Sequence, residues 1–180
     1  MRSGRMEGDV DIEWNLYESP IGTLQMVEAP PGPIMLGWPR RGNAWIHRIA
    51  ARRPDLAIRT GPCFATRGWL DAYFAGHFIR FPFPGYLTEF ISAPPSALSV
   101  WEAICSIPHG ETSSYGSVAR RTGLHARAAG RMVGRNQLAI LIPCHRVVGK
   151  DGALVGYGGG LARKRWLLDH ELRSGGLKLQ

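Results

Sequence analysis

The chain has 180 residues, 44% of them hydrophobic, and a formal net charge of +8. These values allow one or two compact domains and exclude a disordered or fibrous protein. Its three cysteines, Cys63, Cys105 and Cys144, are widely spaced and odd in number, which argues against a disulfide framework and a Cys-x-x-Cys metal site. The sequence has no recognisable signal peptide and no apolar run that could span a membrane. We therefore predict a cytoplasmic protein with no metal and no cofactor.

The positive charge is concentrated in the second half of the chain. Residues 1–91 have a net charge of +1, whereas residues 92–180 have a net charge of +7. Such a concentration favours a polyanion such as nucleic acid, because phosphates that pair with Lys or Arg release counterions. A basic face exposed to solvent is the alternative, and charge alone does not decide between the two.

The first part of the chain predicts a small α+β unit. Alternating apolar residues predict a hairpin of strands at Ile12–Tyr17 and Gly22–Glu28, and a third short strand is expected near Ile34–Trp38. Helical spacing follows over Ala44–Arg53 and Thr66–Ala75. One more short strand is predicted at Thr88–Ser92. The aromatic residues of this unit are interpreted as core, and no catalytic constellation is predicted in it.

The segment Ala93-Pro94-Pro95 marks the predicted boundary between domains at residues 1–92 and 93–180. Beyond it, a helix capped by Ser96 or Ser99 is expected to end before Pro108. A second helix should begin at Ser113 or Ser114 and close at Gly123.

A third helix of this half is predicted from His125 to Val133, directly after Gly123. Two short helices around a glycine turn are typical of a helix-turn-helix, whose second helix enters a DNA groove. The small side chains and two arginines between Ala126 and Arg131 suit close approach to a sugar-phosphate backbone. An ordinary alanine-rich helix with solvated arginines is the alternative.

Cys144 is the candidate nucleophile. The apolar run Leu138–Ile142 predicts a strand buried on both faces, and Pro143 must end it, so Cys144 stands at the end of that strand. His145 and Arg146 follow, and cationic or hydrogen-bonding neighbours lower the pKa of a thiol and so make it reactive. The alternative is a small buried hydrophobic residue, as most isolated cysteines are.

The last part of the chain combines a glycine-rich loop with a terminal helix. The loop Val155–Gly160 allows close approach to a ligand but lacks the lysine and Ser/Thr of a nucleotide-binding P-loop. A helix over Leu161–Leu172 is predicted to bury Leu161, Leu168 and Leu172. Glu171 is able to orient His145 if this helix folds back over the cysteine.

Several of these motifs, in this order and spacing, resemble the O6-alkylguanine-DNA alkyltransferases. They are Pro-Cys-His-Arg-Val at 143–147, Asn136 before it, Gly-Tyr-Gly-Gly-Gly at 156–160, and Arg-Lys-Arg-Trp-Leu-Leu-Asp-His-Glu at 163–171. The resemblance covers Ser96 to Glu171, and residues 17–22 resemble the N-terminal domain of that family more weakly. It implies a ribonuclease-H-like α+β domain followed by a mostly helical, winged helix-turn-helix-like domain that carries the cysteine.

The resemblance also implies a reaction. A monomeric repair protein would flip O6-alkylguanine, and also O4-alkylthymine, out of double-stranded DNA and transfer the alkyl group irreversibly to Cys144. His145 would deprotonate the thiol through a water, Glu171 would hold His145, and Asn136 would tie the recognition helix to the active-site strand. A lesion-binding module without transfer and a cysteine hydrolase are the alternatives, and turnover separates the hydrolase from the transferase.

The DNA and base contacts are likewise implied by the resemblance. Arg127 would fill the space left by the flipped base, and Tyr115 would crowd the phosphate and help to rotate the nucleotide. Ala126, Ala128 and Arg135 would complete the DNA-binding surface. The substrate pocket would be lined by Val155, Tyr157, Gly158 and Gly159, with Gly158 where the family often has serine.

Overall fold

The computed structural model describes residues 12–39, 44–77 and 80–174, and these form a mixed α+β protein with a small sheet and several helices. The strands are β1 (Ile12–Tyr17), β2 (Leu24–Ala29), β3 (Gly32–Gly37), β4 (Ile58–Thr60), β5 (Ser113–Ser114) and β6 (Val147–Val148). The helices are α1 (Ala44–Arg52), α2 (Phe64–Phe74), α3 (Leu87–Phe90), α4 (Pro95–Cys105), α5 (Tyr115–Arg121), α6 (Ala126–Gly134) and α7 (Leu161–Ser174). In the described ranges, no helix has both the length and the apolar character needed to cross a membrane.

The larger sheet has the strand order β3-β2-β1-β4. The predicted hairpin is confirmed, because β1 and β2 pair antiparallel with Tyr17 opposite Leu24, and β3 adds antiparallel to β2. Strand β4 pairs parallel to β1 and was not predicted. Its three residues are too few to show an alternating pattern, and two of them are exposed at the edge of the sheet.

Helix α2 covers this sheet and is capped by a residue distant in sequence. Cys63, at its N-cap position, makes no side-chain hydrogen bond to the helix. The Glu28 carboxylate of β2 instead accepts from the backbone N–H groups of Ala65 and Thr66, at 3.2 and 2.7 Å. A carboxylate at a helix N-terminus satisfies free donors and complements the helix dipole. This contact fixes α2 against the sheet.

The strand predicted at Thr88–Ser92 is wrong. The chain forms α3 there, and the backbone N–H of Ile91 bonds to the Leu87 carbonyl at 2.9 Å. Leu87, Phe90 and Ile91 are all buried, and this i, i+3, i+4 spacing is that of one helix face rather than of a strand.

The predicted pair of short helices is confirmed as α5 and α6. The Ser114 side chain accepts from the N–H of Ser117, and the His125 ring accepts from the N–H of Ala128, so each helix has an N-cap. Gly123 between them has φ +66°, a left-handed conformation that glycine adopts without strain. Helix α4 begins at Pro95, one residue before the predicted cap at Ser96.

The strand predicted at Leu138–Ile142 is also wrong, although the five residues are buried as expected. Only Leu138 makes a bridge, parallel to Leu36 of β3. A turn follows at once, with Ile140 at φ +72° and the N–H of Ile142 bonded to the Leu138 carbonyl at 2.9 Å. The run is apolar because it lies in the core, not because it pairs in a sheet. Pro143 and Cys144 follow directly after this turn.

Candidate active site

Cys144 begins a short 3-10 turn that runs from Cys144 to Arg146, and it lines a cavity of about 820 Å³. Its Sγ accepts a hydrogen bond from Asn136 Nδ2 at 3.1 Å. The same Nδ2 donates to the Ile142 carbonyl at 2.8 Å, and Oδ1 accepts from the Leu138 N–H at 2.9 Å. Asn136, which follows α6, therefore ties the end of that helix to the turn that carries the thiol.

The Cys144 thiol is protonated at rest. Burial raises its pKa above the ordinary value, and the hydrogen bond from Asn136 and the charge of Lys164 offset this only in part. The expectation that the side chains of His145 and Arg146 lower the thiol pKa is wrong, because both bond to Glu171 instead, although a hydrogen bond from the backbone of His145 does lower it. A thiol of this kind needs a base at the moment of reaction.

His145 is the candidate for that base. Its Nε2 lies 2.7 Å from Glu171 Oε1, and both side chains are fully buried. Because the carboxylate accepts, Nε2 carries the proton and Nδ1 keeps its lone pair in the neutral ring. Burial lowers the pKa of His145, against the raising effect of Glu171, so the ring is neutral at pH 7. Among the described residues, none bonds to Nδ1.

Glu171 is a buried carboxylate satisfied from several elements. Arg146 binds both of its oxygens, with Nε 2.8 Å from Oε2 and Nη2 3.0 Å from Oε1. Tyr73 of α2 donates to Oε1 at 3.0 Å, and the backbone N–H of Gly110 donates to Oε2 at 3.1 Å. Burial alone would raise the pKa of Glu171, but the hydrogen bonds from His145 and Arg146 hold it well below its usual range.

The buried face of α7 differs from the predicted one. Leu161 and Leu172 are 47% and 70% exposed, so the predicted apolar face is wrong, whereas Lys164 and Glu171 are fully buried beside Leu167. These two polar side chains are buried because each has hydrogen-bond partners inside the protein. The spacing of apolar residues does not indicate such partners.

Lys164 was not predicted as a site residue, but its side chain holds two segments of the site together. Its Nζ donates to the carbonyls of Val147, Val155 and Gly156 at 2.6, 2.7 and 3.3 Å. Burial lowers the pKa of this amine, and a thiolate at Cys144 would oppose the change. Lys164 thus joins the turn after the cysteine to the glycine-rich loop. A run of three basic residues at 163–165 gave no signal that one of them is buried.

The glycine-rich loop forms one wall of the cavity together with the first sheet. Tyr157, Gly158 and Gly159 line the cavity, and the ring of Trp38, which follows β3, meets Tyr157 edge to face with centroids 5.6 Å apart. Arg163 Nη1 donates to the Gly159 carbonyl at 3.0 Å, and its guanidinium lies over the Trp38 ring. Trp38 was not identified from the sequence as a site residue.

The other implied site residues lie around this cavity at different depths. Tyr115 and Arg135 line it, and the Tyr115 hydroxyl donates to the carbonyls of Val155 and Gly156, both at 3.4 Å. Ala126 and Arg127 are exposed at the start of α6, and Ala128 is half-buried next to them. Four of the implied site residues do not line the cavity as the described part of the chain forms it. They are Ala126, Arg127, Ala128 and Val155.

Replacing Gly159 with alanine is expected to destabilise the protein by about 1–3 kcal/mol, since a well-packed site must shift to take an added methyl group. A Cβ there would meet the Trp38 ring, with Cε3 at 2.9 Å and two other ring carbons closer still. Gly158→Ala is the matched control, because a Cβ at that position meets no atom within 4 Å. Urea unfolding measures both, and equal losses in the two variants would contradict the packing described here.

Acid is expected to destabilise the protein in a step that belongs to Glu171. A carboxylate with a depressed folded-state pKa contributes stability above its unfolded pKa of about 4.3 and loses it as the pH falls toward the folded value. The lowered pKa of His145 acts in the same direction at higher pH. The free energy of unfolding, measured against pH, should therefore fall below about pH 4. A Glu171→Gln variant should lack this lower step, and its persistence there would contradict the assignment.

The fold and the site together define a mixed α+β protein with a buried cysteine that is followed directly by a histidine bonded to a buried carboxylate. Residues 95–173 match the family model described as 6-O-methylguanine DNA methyltransferase, DNA binding domain. A Mycobacterium bovis methylated-DNA--protein-cysteine methyltransferase is 47% identical over 167 residues, which cover 89% of this chain and 92% of that protein. The Mycobacterium leprae protein of the same name is 39% identical over 159 residues, covering 86% and 82%.

The fold is also similar to that of a solved structure. The crystal structure of Mycobacterium tuberculosis OGT in complex with DNA is similar with a TM-score of 0.72 and 33% identity, covering 90% of this chain and 94% of that one. The chain therefore belongs to the methylated-DNA–protein-cysteine methyltransferase family.

Proposed function

We propose that this protein repairs DNA by moving an alkyl group from O6 of guanine to its own Cys144. The bond between the alkyl carbon and O6 breaks, a carbon–sulfur bond forms, and the proton lost by the thiol ends on the restored guanine, which stays in the DNA strand. The thioether is stable, so each molecule acts once. The observation that carries the proposal is Cys144 at the wall of a cavity of about 820 Å³, followed in sequence by His145, whose neutral ring is hydrogen-bonded to the buried Glu171 carboxylate.

His145 is the base in this proposal. Its Nδ1 lone pair takes the thiol proton through a water, as the ring then becomes an imidazolium bonded to Glu171. The carboxylate stabilises that positive charge, and its own charge is held by Arg146 at two oxygens. Asn136 holds Sγ in place and donates to it, which favours the thiolate. The rest-state thiol is thus activated only when the base acts.

The helices α5 and α6 are the proposed DNA-reading unit. Arg127 stands exposed on α6, where its side chain is able to enter the duplex and fill the space of a flipped base. The small side chains of Ala126 and Ala128 allow the helix to lie close to the DNA backbone, and Arg135 adds positive charge beside the cavity. Tyr115 crowds the phosphate and rotates the nucleotide in this proposal.

The substrate pocket is proposed to be the wall of Tyr157, Gly158 and Gly159, with Val155 beside it. Gly158 offers backbone N–H rather than a side-chain hydroxyl to the base. The same pocket is proposed to accept O4-alkylthymine.

We also propose that residues 1–92 form a ribonuclease-H-like domain and residues 93–180 a winged helix-turn-helix-like domain. The protein is proposed to be a monomer that works in the cytoplasm without metal or cofactor.

The number of lesions repaired by each protein molecule tests the proposal. A duplex that contains one O6-methylguanine is mixed in excess with the protein, and restored guanine is counted after digestion. We expect the count to stop at one guanine per protein. Continued turnover would indicate a cysteine hydrolase, and binding with no restored guanine would indicate a lesion-binding module.

A further inference from the structure

We propose that Tyr73 is a positioning residue of the transfer site, because its hydroxyl donates to the same Glu171 oxygen that holds His145 and so sets how firmly that carboxylate holds the base. The proposal rests on the proposed function and goes beyond it. Tyr73 lies in α2, 98 residues before Glu171, so the helix that covers the first sheet takes part in the chemistry of the second half of the chain.

Three donors share this one oxygen. Tyr73 Oη and Arg146 Nη2 each lie 3.0 Å from Glu171 Oε1, and His145 Nε2 lies 2.7 Å from it. Each donor withdraws part of the negative charge that the others experience, so a hydrogen bond from Tyr73 weakens the pull of the carboxylate on His145. Arg146 also binds the other oxygen, whereas Tyr73 bonds to Oε1 alone.

The position of Tyr73 is fixed at two points. Its backbone carbonyl accepts from His170 Nε2 of α7 at 2.8 Å, while its hydroxyl reaches Glu171 in the same helix. Its ring packs against the rings of His170 and His109, with centroids 5.3 and 6.3 Å apart. Burial first, and then the charge of Glu171, raise the pKa of Tyr73 well above that of a free tyrosine. The hydroxyl therefore keeps its proton and remains a donor at every working pH.

Loss of the hydroxyl has a predictable sign. Without it, Glu171 presents more negative charge to His145, the imidazolium is favoured, and the pKa of His145 rises. The titratable and charged groups that face His145 are Glu171 and Lys164 from α7, Tyr73 from α2, His109 from the segment after α4, and Cys144 and Arg146 from its own turn. Tyr73→Phe alters the Tyr73 hydroxyl alone.

The first test is the pH dependence of a single turnover. Methyl transfer from duplex DNA is measured against pH for the wild type, Tyr73→Phe and Tyr17→Phe. Tyr17 is the matched control, because its hydroxyl donates to Asp71 of the same helix at 2.7 Å and makes no bond to Glu171. We expect the midpoint of the rate to rise by about half a pH unit to one unit in Tyr73→Phe and to stay unchanged in Tyr17→Phe.

The second test needs no DNA. The imidazole of His145 is titrated by NMR in the wild type and in both variants, and the midpoint should rise in Tyr73→Phe alone. If the wild type transfers no methyl group, the proposed function fails, and this titration still decides whether Tyr73 acts on His145. An unchanged midpoint in Tyr73→Phe, with or without a uniformly slower transfer, would overturn the proposal.

A third variant reverses the expected sign and retains the native shape. Fluorotyrosine at position 73 keeps the ring and the hydroxyl but makes the hydroxyl a stronger donor, so the His145 midpoint should fall below that of the wild type. This variant also serves if Tyr73→Phe does not fold. A midpoint that stays in place, or moves upward, would show that the hydroxyl does not set the strength of the Glu171–His145 contact.

Discussion

Replacing Glu171 with alanine is expected to lower the free energy of unfolding by about 3–5 kcal/mol, because it leaves the buried guanidinium of Arg146 without its counter-charge. The loss is large compared with a total stability of about 5–15 kcal/mol. The carboxylate also accepts from Tyr73 and from the backbone of Gly110, so those donors lose their partner too. Chemical unfolding followed by fluorescence measures the effect.

The control for this prediction lies on the same helix. Asp169 is exposed on α7, and Asp169→Ala should change the stability by less than about 0.5 kcal/mol, as surface substitutions usually do. Glu171→Gln keeps the shape of the side chain but cannot carry the charge, and it should be nearly as destabilising as alanine. A Glu171→Gln protein as stable as the wild type would mean that the hydrogen bonds, and not the charge, matter here.

Replacing His145 with glutamine is expected to slow methyl transfer by about 10²–10⁴-fold, the usual contribution of a positioned general base. The thiol of Cys144 has a raised pKa, so very little thiolate is present at neutral pH without a base. Glutamine retains a donor toward Glu171 but has no basic nitrogen. Single-turnover transfer from a methylated duplex measures the effect.

Two controls accompany the His145 variant. His47 is exposed on α1, and His47→Gln should transfer at the wild-type rate. The transfer by His145→Gln should also increase steadily with pH, since hydroxide then has to remove the thiol proton. A His145→Gln protein that transfers at the wild-type rate and with the wild-type pH profile would exclude this histidine as the base.

Local pattern was enough to predict most elements of the fold. The hairpin of β1 and β2 has alternating apolar residues, and α5 and α6 have caps and a glycine between them, so their positions follow from neighbours in sequence. The strand predicted at 138–142 was wrong, because an apolar run is equally consistent with a buried turn. Short α3 was missed for a similar reason, since four residues barely show a period.

The candidate site was predictable only where its members stand close together or match a motif. Cys144 and His145 are adjacent, and Glu171 was named as a possible partner of His145 from the terminal helix and again through the resemblance. Tyr73 and Lys164 were missed, because their partners are a carboxylate and backbone carbonyls that only the folded chain brings near. The predicted lowering of the thiol pKa was wrong, because burial outweighs the hydrogen bond from Asn136 and the charge of Lys164.

The intact mass of the protein after incubation with a duplex that contains one O6-methylguanine tests the central claim most directly. We predict that the wild type gains the mass of one methyl group, that the gain maps to Cys144, and that Cys144→Ala gains nothing. Cys105→Ala should still be methylated, because burial raises the pKa of Cys105 to about 12 and makes it a poor acceptor. No gain in the wild type with DNA binding retained, or an equal gain in Cys144→Ala, would contradict the account.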